Sequence, residues 1–254
     1  MEGVELGLFM LSACLCVALI EYPGSPVHVL VGDPLLRRML IGLAMGLTAV
    51  LIVYSPWGKQ SGAHFNPAVT LTFLRLGKIA PCDAFFYVLA QFGGAVLGVV
   101  LGARLLGATL VRHPTVNYVV TLPGKAGTGV AFAAEALISF GLMLMVLAVS
   151  NQHRLNRYTG LFAGVLVAAY ITFEAPFSGM SMNPARSLGS ALPAGIWDAL
   201  WLYFVAPPIG MLLAAEVYLR FRGASKVLCC KLHHENNKRC IFYCRYGELP
   251  QQKE

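Results

Sequence analysis

Charge is what this chain has least of. Only 12% of its 254 residues are Asp, Glu, Lys or Arg, and the acidic ones number 12. A soluble domain carries about 25% charged residues. Against 57% hydrophobic residues, that is too little polar surface to cover the apolar mass in water. An ordinary soluble domain is excluded, and lipid becomes the solvent. Catalytic groupings are missing too. No nucleophile stands with a base, no internal His/Asp set has metal-ligand spacing, and no phosphate loop occurs. The chain is therefore not expected to be an enzyme, to need a cofactor or to bind nucleic acid. A cleavable leader is not expected either, because the first apolar run lacks a basic flank and an Ala-x-Ala site. The 7 cysteines suggest no disulfide framework. Cys14, Cys16 and Cys82 lie in or beside apolar runs; Cys229, Cys230, Cys240 and Cys244 crowd the C-terminal segment.

What the chain does have is apolar runs of crossing length. They fall at about 3–22, 37–56, 83–106, 129–150, 158–176 and 196–220, each near the roughly 20 residues a bilayer needs. Gly42, Ala44 and Gly46 give the second a small-residue face. Gly93, Gly94 and Gly210 are expected to permit close helix contacts. One stretch occurs twice. Ser61-Gly62-Ala63-His64-Phe65-Asn66-Pro67-Ala68 returns as Ser178-Gly179-Met180-Ser181-Met182-Asn183-Pro184-Ala185. In each, Asn is a preferred N-cap and Pro suits the first helical position, so each copy starts a helix. The first such helix, about 67–76, is too short to cross and too apolar for water, which makes it re-entrant.

Each half thus holds three spans and one half-helix. An odd number of crossings turns the second half upside down relative to the first, and the site falls at mid-membrane between the halves. The expected fold class is an all-α membrane protein, with six transmembrane helices and two re-entrant half-helices in an inverted repeat. The channel domain would cover 1–222, with repeats at about 1–106 and 129–222. A basic Cys/His-rich tail would cover 223–254. Lys59, Arg75, Lys78, Arg154, Arg157 and most tail cations fall on one side, which by the positive-inside rule puts both termini in the cytoplasm of a multi-pass cell-membrane protein.

The paired Asn-Pro-Ala motifs, the second continuing into Arg186-Ser187, resemble the aquaporins, the major intrinsic protein family. The resemblance covers about residues 5–222. It implies a homotetramer in the lipid bilayer, each subunit a passive pore for water that excludes protons and ions. The pore motifs would be Asn66, Pro67 and Ala68 with Asn183, Pro184 and Ala185. The asparagine amides would donate to permeant oxygens while two helix dipoles repel cations. The outer constriction falls on Met45, Ile171, Met180 and Arg186, with Ala44 or Gly46 as alternatives to Met45. These residues depart from the strict water-channel pattern, which has an aromatic in span two and a histidine in span five. Ser187, Ala191 and the Tyr203-Phe204 pair lean toward water and away from glycerol. The alternative is an aquaglyceroporin-like channel for small neutral solutes such as glycerol or hydrogen peroxide.

An arginine within the membrane, such as Arg186, is a functional expectation by default. Glu5 and Glu135 are read as buried carboxylates that hold loop backbones, with proton carriage as the other reading. His64 is read as a brace for the first loop, with a pore-facing donor or a pH-sensitive latch as the other. Gln91 is expected to bond across the interface between the halves. In the tail, Cys229, Cys230, His233, His234, Cys240 and Cys244 supply zinc-type donors in a spacing that matches no standard finger. The expectation is therefore no metal. Palmitoylation of Cys229 and Cys230, or a flexible basic tail on anionic lipid, are the other readings.

Overall fold

A computed structural model of the chain describes residues 1–234 and 236–246. Its regular elements are helices, and no strand occurs among the described residues. Among the described residues, five helices are long and apolar enough to cross a membrane: Glu2–Glu21, Pro34–Tyr54, Pro81–Leu106, Thr128–Ser150 and Leu200–Arg222. These are the first, second, third, fourth and sixth spans. The fifth, Thr159–Phe173, has 15 residues, or about 22 Å of rise. It is shorter than the expected 158–176, and the cause is local. Pro176 has no N–H for the Thr172 carbonyl, so the helix gives way at Glu174 to a separate turn, Ala175–Ser178. Arg38 Nε donates to the stranded Thr172 carbonyl at 3.4 Å.

The two half-helices are Pro67–Arg75 and Pro184–Ala194, of 9 and 11 residues. At about 14 and 16 Å they reach roughly halfway through the hydrocarbon. Packing obeys the internal twofold. The first span lies on the third, the fourth on the sixth, and the second crosses the repeat to meet the fifth. Each half-helix lies on the last span of the other half.

In lipid no hydrophobic force drives one helix onto another, so close backbone approach does the work. A Cβ on Gly94 would sit 1.9 Å from the Gly3 carbonyl, and one on Gly210 would sit 2.2 Å from that of Ala136. Gly46 presses in the same way on Gly164, with its Cβ position 2.4 Å from the carbonyl. Gly93 behaves otherwise. Nothing lies within 4 Å of its Cβ position, so the expectation of a close contact there is corrected. The outward faces carry exposed Phe85, Phe86, Leu97, Leu137 and Phe162, which suits lipid.

The tail does not hang loose. Residues 227–232 are buried. Leu228 N donates to Asn151 Oδ1 at 2.6 Å, Leu232 N to the Gly62 carbonyl at 3.1 Å, and Tyr243 N to the Lys78 carbonyl at 3.2 Å. The flexible-tail reading is corrected as far as residue 246. Its last part, 247–254, lies outside the described residues.

Gly94→Val should lower the thermal unfolding midpoint of the detergent-solubilised protein, with an overpacking cost of about 1–3 kcal/mol. Gly93→Ala should leave it unchanged. Equal midpoints for the two variants would contradict this packing.

Candidate functional site

The two Asn-Pro-Ala loops are built on unfavourable backbone. Gly62, Ala63 and Phe65 have φ of 94°, 56° and 29°, and the matching Gly179, Met180 and Met182 have 80°, 50° and 53°. Left-handed geometry costs a non-glycine residue about 1–2 kcal/mol. Buried carboxylates hold it in place. Glu135 accepts from Ser178 Oγ at 2.7 Å, Ser181 N at 2.6 Å and Met182 N at 2.7 Å. In the first half two residues divide that task. Glu5 accepts from Ser61 Oγ at 2.7 Å, while Glu2 accepts from His64 N at 3.0 Å and Phe65 N at 2.6 Å.

Sequence reading missed Glu2, because the first span was started one residue too late. The signal was available: Glu2 and Glu5 are three apart and share a helix face. Gln91 is corrected as well. It donates to Glu2 at 2.7 Å and to Thr70 Oγ1 at 3.1 Å, both within its own half. Tyr87 and Tyr203 complete the repeat by donating to the carbonyls of Ser61 and Ser178, at 2.8 and 2.5 Å.

Each asparagine serves three purposes. Asn66 Oδ1 caps its half-helix at Ala68 N, 2.9 Å, and Asn183 Oδ1 caps at Ala185 N and Arg186 N, 3.0 and 3.2 Å. Each Nδ2 then donates to the opposite loop: Asn66 to the Met182 carbonyl at 2.7 Å, Asn183 to the Phe65 carbonyl at 2.8 Å. An amide nitrogen has two hydrogens, so one on each remains for a third partner. Both asparagines line a single cavity of about 300 Å³. A water needs only about 10–15 Å³ of such space.

The same cavity is lined by Met45, Ile171, Met180 and Arg186. Ala44 and Gly46 are not in its wall, since Gly46 faces Gly164. Arg186 Nη1 donates to the Val119 carbonyl at 3.2 Å. Val119 ends a left-handed run with Asn117 and Tyr118 (φ of 52°, 39° and 51°) that the sequence did not announce. A guanidinium has five N–H donors, so most of its capacity is left for the cavity. Glu21 and Arg38 line one end, Val53 and Leu232 the other. Glu174 is buried and outside the wall.

His64 also lines the cavity and is buried. Its Nε2 lies 3.0 Å from the Cys230 carbonyl and its Nδ1 3.1 Å from Thr70 Oγ1. A carbonyl only accepts, so Nε2 donates to it. Phe73 and Phe242 stack on its two sides at 5.2 and 5.9 Å. Of the six tail donors, Cys229, His234, Cys240 and Cys244 come together. Cys230 instead donates to the Lys78 carbonyl at 3.4 Å, and His233 packs edge-on against Tyr54.

Comparison with known proteins agrees with this geometry. A family model described as Major intrinsic protein matches residues 6–218. The chain is 37% identical over 238 residues to "Aquaporin NIP3-1" of Arabidopsis thaliana, covering 88% of this chain and 68% of that protein. It is 39% identical over 185 residues to "Glycerol uptake facilitator protein-like 6" of Lactiplantibacillus plantarum, covering 70% and 82%. Among solved structures, the X-ray structure of the aquaglyceroporin from Plasmodium falciparum superposes with a TM-score of 0.71 at 20% identity, over 87% of this chain and 93% of that one.

The loop geometry sets an order of sensitivity. Glu135→Gln should destabilise more than Glu5→Gln, because Glu135 accepts three bonds and Glu5 one. Each buried donor left unpaired costs about 1–3 kcal/mol. Thermal midpoints in detergent test this, and the reverse order would refute it.

Proposed function

We propose that this chain, which belongs to the major intrinsic protein family, conducts water in single file and excludes protons and ions. As a member of that family it is an integral membrane channel and not an enzyme. The choice of water rests on one observation: Asn66, Asn183 and Arg186 line the same cavity as three apolar side chains, Met45, Ile171 and Met180.

A permeant molecule must give up hydrogen bonds to enter an apolar passage. The free amide hydrogens of the two asparagines offset part of that loss at the midpoint. The half-helix N-termini place partial positive charge at the same point, which disfavours cations and turns each water's oxygen inward. Arg186 adds a full positive charge and further donors on the outer side. Apolar walls offer a water chain few other partners, so transport proceeds by a lowered solvation barrier with no covalent step. Ser187 supports the water reading. It is occupied by Thr121 Oγ1 at 2.7 Å and Ser181 Oγ at 2.6 Å, both within the loop scaffold.

A second reading is favoured by the wall itself. Methionine is pliable, and a wall of Met45, Met180 and Ile171 without a histidine donor suits a small neutral solute such as glycerol or hydrogen peroxide. In both readings the termini are cytoplasmic, the protein sits in a cell membrane, and the assembly is a homotetramer with one pore per subunit.

Stopped-flow light scattering on proteoliposomes separates the readings. Shrinkage in an impermeant osmolyte should be fast and glycerol re-entry slow. Met180→Ala should raise glycerol permeability by about tenfold, equivalent to about 1.4 kcal/mol of barrier. Fast glycerol re-entry by the unaltered protein would favour the second reading. No gain over empty liposomes in either permeability would refute both.

A further inference from the structure

We propose that Cys229, His234, Cys240 and Cys244 form a site for one thiophilic divalent cation, zinc by its donor set, that fastens the C-terminal tail across the pore mouth. One ligand atom from each residue lies within 4.8 Å of all the others. Cys229 Sγ and Cys240 Sγ are 3.6 Å apart, and His234 Nε2 is 3.0 Å from Cys244 Sγ. Tetrahedral zinc, with bonds of about 2.3 Å to sulfur and about 2.0 Å to nitrogen, sets its ligand atoms about 3.6–3.8 Å apart.

The donor chemistry is selective. Three thiols and an imidazole suit zinc or iron, and a set without carboxylates does not suit magnesium or calcium. Four protein ligands close the coordination shell, which makes the site structural and not catalytic. The Cys229–Cys240 separation is far from the roughly 2.05 Å of a disulfide, and all the cysteines are free. Acylation suits the geometry poorly, because Cys229 and Cys230 are both buried. Stacking fixes the plane of the histidine ring, and a backbone bond ties its limb. Tyr246 stacks on His234 at 4.0 Å and 14°, and Arg245 N donates to the Leu228 carbonyl at 2.9 Å, tying the two limbs of the tail together.

Position gives the site its meaning. Two ligands come from the outgoing limb and two from the returning one, so a cation there cross-links them. The outgoing limb gives the Cys230 carbonyl to His64 and puts Leu232 into the cavity wall. The returning limb stacks Phe242 on the same imidazole. The family match ends at residue 218, so none of the four ligands lies within the matched region.

The test is metal content of the full chain purified in detergent, by inductively coupled plasma mass spectrometry after dialysis against trace zinc. About one zinc per chain is expected. Cys240→Ser and Cys244→Ser should bring it close to background, whereas Cys230→Ser, one residue from a ligand, should retain it. Cobalt loading of the unaltered protein provides a measure that needs no variant to fold: tetrahedral thiolate coordination gives visible d–d bands and a sulfur-to-metal charge-transfer band. Zinc at background in the unaltered chain would overturn the proposal. So would a thiol titration showing a Cys229–Cys240 disulfide, or equal loss of zinc in Cys230→Ser and Cys240→Ser. Metal content is read without transport, so its failure is separate from failure of the water reading.

Discussion

A loop inside a membrane gets no hydrogen bonds from lipid, so its backbone must be satisfied by the protein or by a cavity the protein encloses. This is the constraint on which the structure depends. The two Asn-Pro-Ala loops turn through left-handed residues, and several of their N–H groups point away from any helix. Glu2 and Glu135 take those hydrogens, and Glu5 holds the Ser61 hydroxyl beside them. With the loops fixed, the half-helices are fixed, and with them the two asparagines. The carboxylates stand at the root of the pore although they are not part of its wall.

The repeat is strict in its backbone and loose in its chemistry. Ser181 and Ser187 bond each other in the second half, where His64 and Thr70 do so in the first. From the serine pair Ser187 continues to Thr121 Oγ1, inside the loop scaffold. The imidazole has a second nitrogen and reaches on to Cys230, 166 residues later. Replacing a serine by a histidine at one of two equivalent positions thus lets the tail dock on one loop and not on the other. Glu135 against Glu2 plus Glu5 is a second break of the same kind: one carboxylate against two for equivalent loop partners.

Much of this was legible in the sequence, for a definite reason. Asn-Pro-Ala is a local signal whose physics, cap plus first-turn proline, holds wherever it stands. Its recurrence gave the two half-helices and the inverted repeat. What could not be read depended on contacts distant in sequence. Gln91 turns to Glu2 and not across the repeat, and hydropathy alone cannot say so. Gly93 and Gly94 are neighbours with opposite surroundings, a matter of helix phase. The tail donors looked irregular because ligand spacing along a chain is diagnostic only for known turns. Folding sorted six donors into four that meet and two that turn elsewhere.

The docking of the tail has a consequence in time. Ribosomes release the first loop long before residues 230–243 exist, and contacts so far apart along a chain form late. Until then Gly62, Lys78 and His64 lack the partners that Leu232, Tyr243 and Cys230 bring. The early half of this protein is therefore born with an unfinished mouth. It waits through the insertion of three further spans for residues 230–243 to complete it.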